Sequence, residues 1–465
     1  MGRLVLHCAV LALLLYAYHR VLEGWLERTG TRLGIVSSRL VAPLHAAPEA
    51  TPPGPWALGA VAALVLVVAA APRLVDGRLS PGRFLALAAP LFLAVAWSVG
   101  LIDGWQYVDD RLLPTCVVPF THDHLEYVGD VPEVERLGVA EFARRYSKPN
   151  FYDRLSLHSR SHPPGPVVFQ WAIWKVFGGG AGVAALLTVG FATLMVPLLY
   201  LAGRALYGDG PARLAVLLAM TTPSVVMYTV TSMEGVYACF VLAAVALHAR
   251  ARRAGAHAFA VAEGLALAVG TMMTYAVVFV AGMLGLWLLA EGVSRQRAWR
   301  EVVGQGLGAA AGFALGWVPP LLLGYRPVAT LRATFAMNTE LLGSAHESLA
   351  RYAATVSVNL ADFAFGLGLV LAVLWSWSLA RAVRRRAVDA FAVATLGAIV
   401  VMATVSVYHG ETARAWMFMA PLLALLAARE AQALGETAGP RGLRALLGLA
   451  AVQLFAAEAL LSTPW

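Results

Sequence analysis

The chain has 465 residues, of which 59% are hydrophobic and only 13% charged, and its formal net charge is +8. Soluble domains carry about 25% charged residues, so this composition excludes an ordinary soluble globular protein. The basic residues fall in alternate loops and form no contiguous basic face, which argues against nucleic-acid binding.

Thirteen apolar runs recur along the chain, each near the ~20 residues that cross about 30 Å of hydrocarbon. They predict an all-α polytopic membrane protein with about 13 transmembrane helices, at 4–22, 56–72, 84–102, 181–203, 212–230, 235–250, 258–275, 276–291, 304–324, 361–382, 389–408, 413–430 and 441–460. By position, we expect N-terminal spans and a linker at 1–83, a central module at 84–290, and a C-terminal transmembrane region at 291–465. The arginine-rich loops predict a cytoplasmic N-terminus, because positive charge stays inside.

The same bias places the large first loop, 103–165, outside the membrane. Its polar backbone has no place in hydrocarbon. Within it, Val131–Tyr146 has a roughly helical apolar period and predicts an amphipathic surface helix. Val167–Phe177 is apolar but too short to cross, and predicts an interfacial helix. A second outer loop, at about 325–360, is long enough for amphipathic helices that cover a site.

Acidic side chains concentrate in the first loop, most densely at Thr121–Asp130. Asp123, Glu126 and Asp130 are candidates for a general base or for ligands of a divalent cation. The alternative for each acid is a solvated loop charge. His122-x-His124 lacks further ligands at a fixed spacing and is a weak metal signal, so no metal site is predicted and a divalent cation stays an alternative.

A second polar motif, His158-Ser159-Arg160-Ser161-His162-Pro163-Pro164-Gly165-Pro166, closes this loop. The consecutive prolines predict an extended backbone at His162, and Gly165 permits close approach of another backbone. Arg160 and His162 are candidates for binding phosphate, because a guanidinium offers a bidentate fork and an imidazole can donate one hydrogen bond. A rigid turn explains the prolines alone, but not the His-x-Arg-x-His pattern.

The outer part of the chain contains, in order, an acidic loop, a surface helix ending in Ala-Arg, a basic residue before Pro-Pro, an aromatic amphipathic run and Phe-Gly. This order of features resembles the glycosyltransferase C superfamily. The resemblance is strongest to bacterial members similar to protein O-mannosyltransferases and aminoarabinose lipid A transferases. It continues through Thr222-Pro223-Ser224 to Glu234, which matches an acid at the outer entrance of the next span, and covers about residues 84–290.

The resemblance implies transfer of a sugar from a polyprenyl-phosphate donor to an acceptor hydroxyl at the extracytoplasmic face, with inversion. The acceptor is a lipid, a glycan or a protein, and membrane lipids surround the enzyme in a bacterial inner membrane. By position, the role of general base goes to Asp130, with Glu126 and Asp123 as rivals. Region 84–290 is then the catalytic module.

The same resemblance implies that Arg160 and His162 bind the phosphate of the donor. Arg414 and His409, in the segment Tyr408–Arg414, are further candidates for this role. An interfacial arginine paired with Glu411 is the alternative for Arg414. Where some relatives have Lys-Gly-Pro, this chain has Thr271-Met272-Met273-Thr274-Tyr275. Other function classes are a transporter or flippase and a non-catalytic envelope assembly protein. The scarcity of ionisable residues within the predicted spans argues against transport.

Overall fold

The computed structural model describes residues 1–29, 47–48, 53–108, 110–121, 126–255, 257–385, 389–407 and 411–462. Across these ranges the chain is almost entirely helical. The described strands form two short antiparallel pairs: Ala47–Pro48 with Leu461–Ser462, and Trp105–Val108 with Arg111–Pro114. The predicted all-α architecture is confirmed.

Each of the thirteen apolar runs is largely helical. The longer α-helices are Gly2–Thr29, Ala57–Val75, Pro81–Gly100, Ala181–Ala192, Met195–Tyr207, Asp209–Ala219, Pro223–Thr231, Glu234–Ala254, His257–Met273, Val277–Val293, Trp299–Leu322, Leu349–Leu367, Leu369–Arg385, Ala390–Val405 and Ala420–Leu460. In the last of these, non-helical backbone at Gly439 (φ 65°) marks a kink.

Within the described ranges, seven helices are long and apolar enough to cross a membrane, or nine if two bent helix pairs each count as one span. The predicted count of thirteen is not confirmed. One bent pair breaks by 61° before Pro223, because proline disfavours helical backbone in the residue before it. The other breaks by 108° at Gly368, whose φ is 78°. Three shorter apolar helices lie at His257–Met273, Val277–Val293 and Ala390–Val405.

The centre of the bundle is the first part of helix Ala420–Leu460. Every residue from 420 to 428 is buried. The helices Asp209–Ala219 and Pro223–Thr231, which pack beside this helix, are also largely buried. A helix that is apolar on all sides is stable only inside a bundle or in lipid. This buried helix follows directly after the segment that carries Arg414.

The predicted surface helix Val131–Tyr146 is wrong as a single element. It is two short helices, Val131–Leu137 and Val139–Arg145, because Gly138 between them has a φ of 72° that breaks the helix. Three further helices follow: Pro149–Tyr152, Leu157–Ser161 and Gly165–Phe177. The last includes the segment Val167–Phe177, whose predicted helical conformation is confirmed. The repeated breaks divide this segment into short helices, and apolar side chains of the segment, including Val134, Phe142 and Tyr146, form a small core together with Tyr237 and Met273.

The second predicted loop, at about 325–360, is also largely helical. It consists of helix Pro327–Leu342, a 3-10 turn at Ala345–Glu347 and the start of Leu349–Leu367. The remaining described helical turns are Thr115–Phe120, Val128–Asp130, Thr412–Ala415 and Met417–Met419. Helix Pro327–Leu342 packs against the turn Leu157–Ser161 and so lies over the second polar motif.

Candidate active site

A buried ion pair joins two segments that are 288 residues apart in the chain. Arg414 Nη2 donates to Glu126 Oε1 at 2.5 Å. The two residues are 6% and 1% exposed. Burying a charge is costly unless an opposite charge and hydrogen bonds compensate, so the fold must hold both partners accurately.

Arg414 is held in place by an acid that the sequence did not single out. It lies in the short helix Thr412–Ala415, and Asp362 accepts hydrogen bonds from Ala413 N at 2.8 Å and Thr412 Oγ1 at 3.1 Å. The Thr412 hydroxyl also donates to the Asn359 carbonyl at 2.6 Å. Asp362 is 2% exposed. A lone acid inside an otherwise apolar run was the signal that could have revealed it.

Glu126 receives donors from three directions. Besides Arg414, the backbone N–H of Met233 donates to its Oε2 at 3.1 Å, and His158 Nδ1 lies 3.3 Å from its Oε1. Burial by itself raises the pKa of Glu126, but Arg414 and His158 favour the charged form more strongly, so the pKa of this carboxyl is lowered. Glu126 is therefore ionised near neutral pH.

Glu234 approaches Arg414 from a second side. Its Oε1 lies 3.6 Å from Arg414 Nε. Burial disfavours the charged guanidinium, yet Glu126 and Glu234 outweigh this and raise the pKa of Arg414. Arg414 Nη1 is buried and has no hydrogen-bond partner among the described residues. One nitrogen of a charged guanidinium is thus left without a hydrogen-bond partner among the described residues.

Asp130 is also buried, at 6% exposure, but its described hydrogen bonds go elsewhere. Its Oδ2 accepts from the backbone N–H of Ser156 at 3.0 Å. This contact ties the end of the acidic cluster to the start of the turn Leu157–Ser161. The structure therefore brings Asp130 to the second polar motif and brings Glu126 to Arg414.

The second motif has the backbone that the prolines predicted. His162 is extended, with φ −129° and ψ 165°. A side chain at Gly165 would collide with the Met272 carbonyl, which confirms the predicted close approach. Tyr146 donates to the carbonyls of Ser159 and His162. These contacts fix the motif as a rigid unit.

The two predicted phosphate ligands of this motif differ in what they can offer. Arg160 Nε is buried and has no hydrogen-bond partner among the described residues, while the Arg160 carbonyl accepts from Thr334 Oγ1 at 2.8 Å. His162 Nδ1 lies 2.9 Å from Ser161 Oγ and 3.2 Å from the His158 carbonyl; a protonated Nδ1 donates to either oxygen, and an unprotonated Nδ1 accepts from the Ser161 hydroxyl.

The His162 ring is neutral and packed between tyrosines. It stacks on Tyr237 at 5.7 Å and meets Tyr127 edge-on at 5.6 Å. Burial, with the His158 charge adding to it, lowers the pKa of His162 to about 3. A neutral imidazole carries one N–H, so His162 can donate to a phosphate only in the tautomer with the proton on Nε2.

Two other predicted site residues, Asp123 and His409, lie outside the described residues, as do His122 and His124. Within the ranges that the structure describes, no group of three or more His, Cys, Asp and Glu side chains is arranged to hold a metal ion.

Residues 161–322 match the family described as dolichyl-phosphate-mannose-protein mannosyltransferases. The resemblance to the glycosyltransferase C superfamily is confirmed. The match begins inside the His-Pro-Pro motif and includes Glu234, but ends before Arg414. No curated protein sequence matches the chain.

Among solved structures, the chain is similar to oligosaccharyltransferases of Archaeoglobus fulgidus. The enzyme in complex with Zn and sulfate is 15% identical, with a TM-score of 0.46, over 66% of this chain and 45% of that one. The enzyme AglB in complex with an inhibitory peptide and a dolichol-phosphate is 13% identical, with a TM-score of 0.49, over 81% and 55%. The chain thus spans about half the length of these proteins.

Proposed function

We propose that this chain is an integral membrane glycosyltransferase that moves a sugar from a polyprenyl-phosphate donor to an acceptor hydroxyl at the extracytoplasmic face, with inversion. The family match supports a donor of this class, because the matched enzymes are described as using dolichyl-phosphate-mannose. The observation that carries the proposal is Arg414. It is a buried guanidinium held by Glu126 and Glu234, and one of its nitrogens has no hydrogen-bond partner in the part of the chain that the structure describes.

In the proposed reaction, the acceptor oxygen attacks the anomeric carbon while the bond from that carbon to the phosphate oxygen breaks. Negative charge then develops on the polyprenyl phosphate that leaves. Arg414 Nη1 and Arg160 are the cations that stabilise this charge, since charge-assisted hydrogen bonds to phosphate are strong in a buried site. Glu126 and Glu234 hold Arg414 in position.

For the general base, which takes the proton of the acceptor hydroxyl, we propose Asp130. Both oxygens of Glu126 already accept hydrogen bonds or ion pairs, and the lowered pKa makes that carboxylate a weak base. The described hydrogen bonds of Asp130 come from Ser156 N alone. Because a carboxylate has about four lone-pair sites, Asp130 keeps acceptor capacity for a substrate proton. Asp123 remains its rival.

This arrangement also changes the domain proposal. Region 84–290 supplies Glu126, Asp130, Arg160 and Glu234, but Arg414 comes from region 291–465. The catalytic module that we propose therefore needs the C-terminal helices as well.

The test is sugar transfer by the purified protein in nanodiscs, with a panel of radiolabelled polyprenyl-phosphate sugars. Arg414→Lys keeps the positive charge but loses the planar fork, and we expect a 10- to 100-fold rise in the donor KM with a smaller change for the acceptor. Arg154→Lys, at an exposed position, is the matched control. An unchanged donor KM in Arg414→Lys would remove Arg414 from the site. Absence of transfer from every donor by the wild-type protein would favour the assembly-protein alternative.

A further inference from the structure

A second polar centre lies at the opposite end of the helix bundle from Arg414. It is a cavity of about 330 Å³ where the ends of five helices meet. Glu234 begins helix Glu234–Ala254, and Arg252, which lines the cavity, is 18 positions further along it. At about 1.5 Å per residue the two ends are roughly 27 Å apart, close to the thickness of a hydrocarbon core. The cavity is therefore separate from the candidate active site.

Three arginines line this cavity, and each is paired with a carboxylate. Arg381 Nη2 lies 2.5 Å from Glu430 Oε2, and Arg429 Nη1 lies 3.2 Å from Asp389 Oδ2. Arg252 pairs with Glu291. The described contacts use one nitrogen of each guanidinium, and a guanidinium has five N–H donors. All three arginines line the cavity, and their side chains are 32–48% exposed, so they are not sealed inside the protein.

The carboxylates, in contrast, are already supplied with donors. Glu291 accepts from Trp287 Nε1 at 3.1 Å and also pairs with Arg297 at 3.3 Å. Asp389 accepts from Tyr207 Oη at 3.2 Å and from Ala392 N at 3.2 Å, which caps helix Ala390–Val405. Acceptors in the cavity wall are engaged, whereas donors are in excess.

The start of helix Ala390–Val405 strengthens this excess. Residues 390–392 line the cavity; Asp389 caps the Ala392 N–H, whereas the N–H groups of Ala390 and Phe391, at the start of the helix, have no partner within the helix. The partial positive charge of a helix N-terminus favours an anion. Tyr207, Trp287 and Phe391 add aromatic surface beside the arginines.

From this excess of donors we infer that the cavity is a binding site for a phosphate group, carried by an anionic lipid headgroup or by a soluble phosphate compound. A phosphate offers only acceptors at neutral pH, so it complements a wall whose acceptors are already engaged. Planar guanidinium groups suit it best, because they bind phosphate in a bidentate manner. The inference does not depend on the proposed sugar transfer.

The test measures binding of two probes to the full-length protein. Inorganic phosphate is titrated calorimetrically, and retention of phosphatidylglycerol over phosphatidylcholine is measured by native mass spectrometry. Arg381→Gln and Arg429→Gln should each weaken binding of the active probe at least 10-fold. Arg384→Gln, one turn along the same helix at an exposed position outside the cavity wall, should bind like wild type.

Because Arg381→Gln leaves the buried Glu430 without its arginine, a double variant with Glu430→Gln separates folding from binding. It removes both charges, and should fold normally and still bind at least 10-fold more weakly. Binding of phosphate points to a soluble ligand, and selective retention of phosphatidylglycerol points to a headgroup. If neither probe binds, or if Arg381→Gln, Arg429→Gln and the folded double variant bind as tightly as Arg384→Gln, the inference is refuted.

Discussion

The buried Glu126–Arg414 pair should be strongly coupled, and a double-mutant cycle measures this directly. Removing one partner of a buried ion pair costs about 3–5 kcal/mol, because the other charge stays buried without compensation. In Glu126→Gln, Arg414 keeps Glu234 at 3.6 Å, so we expect about 3 kcal/mol. In Arg414→Gln, Glu126 keeps only the Met233 N–H and His158, so the cost should be similar or larger.

The double variant Glu126→Gln/Arg414→Gln buries no unpaired charge from this couple. Its loss of stability should therefore fall short of the sum of the single losses by about 2–3 kcal/mol, within the range of strongly interacting neighbours. Unfolding in mixed micelles with increasing SDS, followed by tryptophan fluorescence, reports each free energy. The signal comes from all 13 tryptophans and so reports unfolding of the whole chain.

The matched control is the pair Glu133–Arg136, which has the same 2.5 Å separation but side chains 37% and 56% exposed. Exposed pairs contribute less than about 1 kcal/mol, because water screens both charges. A cycle at Glu126–Arg414 that is additive, or no larger than the cycle at Glu133–Arg136, would refute the reasoning that this pair is a buried, mutually dependent unit.

Three further predictions concern the base, the pH dependence and the topology. Asp130→Asn should lower sugar transfer about 10²- to 10⁴-fold without loss of thermal stability, since the amide oxygen still accepts the Ser156 N–H; full activity would return the base role to its rivals. The pKa of His162 is about 3 in the folded protein against 6.5 when exposed, so the unfolded state binds more protons and stability should fall as the pH drops from 6.5 towards 3. A flatter dependence in His162→Phe checks this, and an identical slope in that variant contradicts it. The predicted topology places Arg154 outside and Arg384 in the cytoplasm, so Arg154→Cys should react with an impermeant thiol reagent from outside the cell and Arg384→Cys only after permeabilisation. The three native cysteines are buried and should give little background labelling. The reverse pattern would overturn the predicted sidedness.

Local features of the site were predictable from the residues themselves. Pro163 and Pro164 set the extended backbone of His162, and Gly165 allows the Met272 carbonyl to approach, because proline and glycine act through their own covalent geometry. The break at Gly138 was equally local, but it was missed because the apolar period on either side of it resembles one continuous helix.

The partner of Arg414 was not predictable in this way. A neighbour one turn away, Glu411, was the partner considered in the alternative for Arg414, but the sequence did not point to Glu126, with which Arg414 pairs at a separation of 288 residues. Asp362, which holds the Thr412–Ala415 turn, also comes from a different helix. Such contacts depend on how the helices pack. Acids at many positions in the sequence could pair with an arginine equally well, so the sequence alone does not identify the partner.

The amino-acid sequence alone determined that this chain is helical, that it is a membrane protein, and that one loop is rich in acids, imidazoles and prolines. These features were predictable because hydropathy and backbone geometry act within a few residues. Only the tertiary structure decided which acid meets Arg414, which histidine is neutral, and where a cavity lined by arginines opens. Those outcomes depend on burial and on distances between remote segments, and both exist only once the helices have packed.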